Sequence, residues 1–118
     1  MLLQSFKVAA TGQVMEGFDW DEANINHIAK HGITPDEAEQ VVLNDPIDLT
    51  LQLQDGEERT PQVGETNAGR ILVVITAWRN ELIRVVTAFP AKNTLRKLYL
   101  AQRGSTYAGG TEETELQD

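Results

Sequence analysis

The chain has 118 residues, no cysteine and a formal net charge of −8. This length suffices for one domain with its own apolar core, and the lack of cysteine excludes disulfide bridges, a zinc ribbon and a thiol nucleophile. No apolar run approaches the roughly 20 residues of a membrane-spanning helix, and the first residues do not read as a secretory signal, so the sequence predicts a cytoplasmic protein.

One folded domain is predicted, over residues 15–103. Met15 lies just before the first strong structural signal, so residues 1–14 are interpreted as a flexible N-terminal extension. Residues 104–118 are rich in glycine, serine, threonine and glutamate with almost no apolar side chain, which is typical of a disordered acidic tail. No internal repeat is visible.

Two helices open the predicted domain. Asp21 is a suitable N-cap for the first, and Gly32 supplies its left-handed stop. Trp20 and Ile25 flank that cap as a hydrophobic staple. The second helix begins with a capping box, Thr34–Glu37, that has proline in its first turn.

Four antiparallel strands and a third helix are predicted to follow. The strands are predicted over residues 47–54, 57–66, 70–78 and 82–88, from alternating or continuous apolar patterns between turn residues. Pro61 indicates an edge strand or a bulge, and Asn93 or Thr94 opens the last helix. This order, with short hairpin connections, predicts an α+β fold with the helices on one face of the sheet.

The charge is unevenly distributed along the chain. Residues 105–118 carry four acidic side chains and no basic one, whereas residues 79–103 carry six basic side chains and one acidic one. The net negative charge argues against a nucleic-acid partner, but the basic segment is compatible with a patch that contacts RNA. A solvated helix face with scattered arginines explains the same pattern.

Lys30 and His31, followed by Gly32, form the most conspicuous polar cluster. Basic side chains in the last helical turn, with glycine after them, are typical of a C-cap that needs no function. The same helix end presents an ammonium and an imidazole group, which together can hold a phosphate and move a proton near neutral pH. His27 shares this helix face, but the sequence offers no further histidine or cysteine to complete a metal site.

Arg59, Arg70 and Arg84 lie in predicted strands. An arginine on a sheet is most often a surface residue with its stem packed on apolar neighbours, but several on one face would suit a phosphodiester. No glycine-rich phosphate loop and no Ser-His-Asp arrangement is supported. Metal-independent RNA cleavage, with the 2′-hydroxyl as nucleophile, is therefore the main enzymatic option.

Several strings of residues fall in a recognisable order and spacing. The first half contributes Phe18–Asn24, His27, Lys30–Pro35, Glu37-Ala38 and Asp45-Pro46, and the second half contributes Glu58-Arg59, Gly64, Gly69-Arg70, Leu72–Val74, Arg84–Ala88 and Tyr99. In these strings, over roughly residues 17–103, the chain resembles the BrnT family.

The resemblance implies a RelE-like ribonuclease toxin of a type II toxin–antitoxin pair, which cuts RNA without a metal or other cofactor. It also implies a BrnA-like antitoxin with a ribbon-helix-helix part, through which the complex binds operator DNA. By this analogy the expected catalytic residues are Lys30, His31, Arg59 and Arg84. The expected RNA-binding residues are Arg70, Arg79, Lys92, Arg96 and Lys97.

Phe89 and Leu95 depart from the family pattern, which places an arginine and a glutamate at these positions. The first change removes a phosphate clamp, and the second removes a possible general base or ion-pair partner. One interpretation is an active nuclease in which a salt bridge has been replaced. Another is a catalytically impaired binding module that retains antitoxin binding, and a third is an α+β interaction domain unrelated to RNA.

Overall fold

The computed structural model describes residues 17–104 and two short segments, 7–8 and 14–15. In this part of the chain the helices are α1 (Glu22–Ala29), α2 (Pro35–Leu43) and α3 (Asn93–Gly104). The strands are β1 (Lys7–Val8), β2 (Val14–Met15), β3 (Ile47–Asp48), β4 (Gln52–Gln54), β5 (Glu57–Glu65), β6 (Ile71–Arg79) and β7 (Leu82–Pro90). The rest of the predicted extension and tail lies outside the described residues.

The main sheet is antiparallel and contains five strands. Its order is β3-β5-β6-β7, and β4 also pairs with β5. The α+β class is confirmed, as is the central position of the strand predicted over 70–78, but the prediction of four strands is wrong. Strands β1 and β2 pair separately as a two-stranded antiparallel unit that the sequence did not predict.

The extra strand arises because the predicted strand 47–54 is interrupted. Asp48 pairs with Gln62, but Gln52 pairs with Arg59, so the register shifts by one residue between β3 and β4. Pro61 lies opposite this shift and has no N–H to donate to the neighbouring strand. Because β5 is an interior strand, the edge interpretation of Pro61 is wrong, whereas the bulge interpretation agrees with the shift.

The helices cover both faces of the sheet, so the prediction that they pack on one face is wrong. On the α1/α2 face, Leu72, Val74 and Val85 pack in one core cluster with residues of these two helices. On the opposite face, called the α3 face, Val73 and Tyr99 form a second cluster. Strand β6 has apolar side chains on both faces, and these contribute to both clusters.

Both predicted helix starts are confirmed. The Asp21 side chain accepts hydrogen bonds from the backbone N–H groups of Ala23 at 3.0 Å and Asn24 at 3.2 Å, and the Asn24 side chain accepts from the Asp21 N–H at 2.8 Å. Thr34 and Glu37 make the equivalent reciprocal pair in α2, with both hydrogen bonds at 3.1 Å. These caps satisfy backbone donors that the first helical turn leaves unpaired.

The segment before α1 is fixed to the exposed edge of β7. Phe18 forms a parallel bridge with Ile83, and both Phe18 and Trp20 are fully buried. The Trp20 indole Nε1 donates to the buried carboxylate of Glu39 at 2.8 Å. This anchoring holds Asp19 and the N-terminus of α1 beside the first residues of β7.

Candidate functional site

Three of the predicted arginines share one end of the α3 face. Arg59 has the same strand parity as Val63, which packs under α3. Arg84 pairs with Ala77 on the neighbouring strand, and Arg79 lies two residues beyond Ala77 on the same face. The structure therefore brings Arg59, Arg79 and Arg84 to one surface that α3 does not cover.

Each of these arginines has a carboxylate partner. Glu57 accepts from Arg79 Nε at 2.6 Å and Nη2 at 2.8 Å, and from Arg59 Nε at 3.1 Å. Arg84 donates to both carboxylate oxygens of Asp21 at 3.1 Å and lies 3.4 Å from Asp19 Oδ2. We call these six side chains the charged row.

The pKa values of two carboxylates show how strongly the row is coupled. The hydrogen bond from Arg79, with help from Arg59, lowers the pKa of Glu57 from 4.5 to about 2 against the opposing effect of burial. The hydrogen bond from Arg84 is the largest cause that lowers the pKa of Asp21. Both carboxylates are therefore ionised near neutral pH, and the three arginines have acidic partners within the chain.

Lys30 and His31 lie at the opposite end of α1 from the charged row. The imidazole rings of His27 and His31 are 5.7 Å apart between centroids, and the His31 ring lies 6.2 Å from the ring of Phe89. Lys30, His27 and His31 are all exposed. We call them the histidine pair with its lysine.

The structure does not join the four expected catalytic residues in one site. Asp21, which holds Arg84, caps the N-terminus of α1, whereas His31 follows its C-terminus. At 1.5 Å per helical residue, these ends are about 15 Å apart. Arg84 and His31 therefore lie at different ends of α1, and Arg59 lies farther still, beyond β6.

Arg70 is separate from both surfaces. Its Nη1 donates to Glu37 Oε2 at 2.9 Å and to the carbonyl oxygen of Gly32 at 3.1 Å. Burial would raise the pKa of Glu37, but the hydrogen bonds from the Thr34 backbone and from Arg70 outweigh it and lower the pKa. Arg70 thus connects the β5–β6 turn to the α1–α2 turn.

The remaining expected RNA contacts lie on α3 and directly before it. Lys92 and Arg96 are exposed, and Lys97 is half-buried. The guanidinium of Arg103 lies 5.6 Å above the ring of Tyr99, whose hydroxyl donates to Glu65 at 3.1 Å. Arg103 thus packs on the aromatic residue that anchors α3 to the sheet.

The two departures from the family pattern lie in one place. Phe89 and Leu95 both pack against the apolar cluster formed by Val63, Val73 and Tyr99. Both side chains therefore contribute to the apolar packing between α3 and the sheet. Phe89 also contributes the ring that lies beside His31.

Sequence reasoning missed two parts of these sites. The sequence points to His27 only as a possible metal ligand, although its spacing of four from His31 places both rings on one helix face. Asp19 and Glu57 gave no usable signal, because their roles depend on strand register and on the segment before α1. Among the described residues, no group of three or more potential ligands could hold a metal ion.

The fold and these sites define a small α+β protein with paired arginines on one sheet face and two exposed histidines beside a lysine at the end of α1. The sequence model of one family, described as ribonuclease toxin, BrnT, of type II toxin–antitoxin system, matches residues 20–94. This match covers more than half of the chain, which therefore belongs to the BrnT family of toxins. No curated protein matches the chain. Within the described residues, no helix is long and apolar enough to cross a membrane.

Proposed function

We propose that this toxin cleaves RNA without a metal, at the histidine pair with its lysine. The observation that carries the proposal is the 5.7 Å separation of two exposed imidazole rings next to Lys30. Two imidazoles at this separation can contact different oxygens of one phosphate, and histidine is the side chain that changes charge near neutral pH. Lys30 supplies a cation for the charge that develops on the phosphate.

The proposed reaction needs one histidine in each protonation state. The neutral ring accepts the proton of the 2′-hydroxyl as its oxygen forms a bond to phosphorus. The protonated ring donates to the 5′-oxygen as the bond from phosphorus to that oxygen breaks. The products are a 2′,3′-cyclic phosphate and a free 5′-hydroxyl, and the rate should show a bell-shaped pH dependence.

The arginines of the charged row have a different proposed role. Arg84 is held at the start of α1 and His31 follows its end, about 15 Å along the helix axis, so Arg84 would contact another phosphate of the same strand. Arg59 and Arg79 would do the same once RNA exchanges with Glu57. The exposed Lys92, directly before α3, and Arg96 of α3 would add further contacts. RNA binding should therefore weaken steeply with salt.

Purified protein incubated with RNA tests the proposal. We expect cleavage that continues in EDTA and leaves cyclic phosphate ends, and a loss of about 100-fold or more in His27→Ala and in His31→Ala. Asn26→Ala, another exposed polar position of α1, is the matched control and should retain full activity. Equal activity in the control and both histidine variants would exclude this site.

A second function has its own support, namely an impaired nuclease that still binds its antitoxin. The arginines of the charged row already have carboxylate partners, and an aromatic ring stands beside His31 in place of the family's arginine. In this case the unaltered protein should not cleave RNA, whereas Phe89→Arg should gain cleavage. Antitoxin binding would be unchanged in both proteins.

The proposal also includes the cellular setting. We infer a cytoplasmic protein, related to RelE-like toxins and neutralised by a BrnA-like ribbon-helix-helix antitoxin that carries the complex to operator DNA. Membership in a type II toxin–antitoxin family supports an antitoxin partner. Induced expression should arrest growth, and co-expression of the product of the adjacent antitoxin gene should restore it.

A further inference from the structure

The α1/α2 face has an end that these helices do not cover. Leu53 pairs with Glu58 across β4 and β5, and Trp78 pairs with Ile83 across β6 and β7. Thr60 pairs with Thr76 across the antiparallel strands β5 and β6. Glu58 and Trp78 each lie two residues from this pair in the same direction, so they are also neighbours. A row of side chains therefore crosses four strands on this face.

Apolar side chains dominate the exposed part of this row. Leu53 is 70% exposed and Trp78 is 64% exposed, and Leu51, in the register shift beside them, is 52% exposed. In the described residues the other exposed large apolar side chain is Leu100, which lies on α3. Single exposed apolar residues are common, but a group at one place indicates an interaction surface. We call Leu51, Leu53 and Trp78 the apolar shelf.

A concavity of about 290 Å³ adjoins the shelf, and its lining includes Trp78, Ile83, Thr60, Gln62 and Asp48. The Gln62 amide donates from Nε2 to Asp48 at 2.8 Å, but its Oε1 is buried and has no hydrogen-bond partner. A buried acceptor without a donor is unfavourable, so an incoming donor would improve this site.

The polar rim of the concavity is acidic. Asp48 lies at one side of it, and Glu58 is exposed between Leu53 and Trp78. A second copy of the chain, packed by two-fold symmetry, would bring this acidic surface against itself. A partner with basic or amide groups beside its apolar side chains fits the charge better.

We propose that the apolar shelf is a docking site for the antitoxin. The occupant is an antitoxin segment with apolar side chains that cover Trp78 and Leu53 and a lysine, arginine or amide donor that reaches Gln62 and Glu58. This inference rests on the toxin–antitoxin assignment, but not on the site of RNA cleavage. The shelf lies on the sheet face opposite the charged row, so it anchors the antitoxin away from the arginines.

Trp78 is a direct reporter of this docking. The chain has two tryptophans, and Trp20 is fully buried, so iodide should quench Trp78 selectively. We would titrate the full chain with the purified product of the adjacent antitoxin gene. The expected result is a blue shift of the emission and at least a twofold drop in iodide quenching at saturation.

Substitutions in the apolar shelf test how much it contributes to antitoxin affinity. Leu53→Lys should weaken antitoxin binding about tenfold or more, and this can be measured by fluorescence because Trp78 is retained. Trp78→Ala should weaken binding to a similar extent, measured by calorimetric titration because the fluorescent reporter is lost. Leu100→Lys is the matched control, since it replaces an exposed leucine outside the shelf, and it should bind normally. Circular dichroism must show the native fold for each variant.

Several outcomes would overturn the proposal. Antitoxin binding with unchanged quenching would move the interface elsewhere, as would equal weakening by Leu100→Lys. Protection of Trp78 in the free protein would instead show that the chain covers its own shelf, or that a second copy does so if protection grows with concentration. Absence of any antitoxin binding would overturn this proposal and the toxin–antitoxin partnership together, whereas absence of RNA cleavage alone would affect only the nuclease mechanism.

Discussion

The same end of the sheet has a different character on its two faces. On the α3 face, Arg59, Arg79 and Arg84 pair with carboxylates of the same chain. On the other face, Leu53 and Trp78 are exposed. Helices leave both areas uncovered, but a charged group can be satisfied by one neighbour, whereas an apolar group needs a covering surface that excludes water. The charged groups thus have their partners within the isolated chain, whereas the apolar side chains of the other face remain exposed to water.

The largest effect is expected from Arg84, because its side chain is only 11% exposed and holds the start of α1 against β7. Arg84→Met keeps the apolar stem but leaves Asp19 and Asp21 without their shared cation. We expect a loss of about 2 kcal/mol in the free energy of unfolding. Urea denaturation measures it, with the exposed Arg96→Met as control. Equal stabilities of the two variants would show that the charged row contributes little to folding.

A smaller effect is expected from Arg70, which lies outside both compared surfaces. Its pair with Glu37 is partly exposed, so Arg70→Gln should cost about 0.5–1 kcal/mol. We expect RNA cleavage to be unchanged, since Arg70 contacts neither the charged row nor the histidine pair. If the variant folds normally but binds RNA more weakly, the active surface extends to the β5–β6 turn.

Parts of the fold that depend on local chemistry were predictable. Asp21, Thr34 and Gly32 mark helix ends through contacts within a few residues. The division of the strand 47–54 was not predictable, because alternation alone does not reveal that Pro61 of the neighbouring strand lies opposite a register shift. The placement of α3 on the second face also depends on distant packing.

The functional sites also divide into features set by nearby residues, which were predictable, and features set by distant packing, which were not. The histidine pair was visible in principle, because a spacing of four residues is a local property of α1. The charged row was not, since the convergence of Arg59, Arg79 and Glu57 requires the register of two strands. The sequence could not show whether arginines of different strands share a face, nor that carboxylates occupy their donors.

Acid should weaken the charged row through Glu57. Since folding lowers the pKa of Glu57 from 4.5 to about 2, its contribution to stability is present above pH 4.5 and disappears as the pH falls toward 2. Carboxyl carbon NMR should show Glu57 titrating near pH 2, and Arg79→Gln should move that titration toward the ordinary value. Arg96→Gln, which changes a distant arginine, should not. An unchanged Glu57 titration in Arg79→Gln would contradict the coupling that we assign.

The smallest effect on stability is expected at the apolar shelf. Trp78 is 64% exposed, so Trp78→Ala should change the free energy of unfolding by less than about 0.5 kcal/mol in the isolated chain. In the complex with antitoxin, Trp78→Ala should lower the free energy of unfolding by more, because the covered indole then also stabilises the complex. Denaturation with and without antitoxin measures both values. A large loss in the isolated chain would show that Trp78 supports the fold itself, and the contrast between the two faces would disappear.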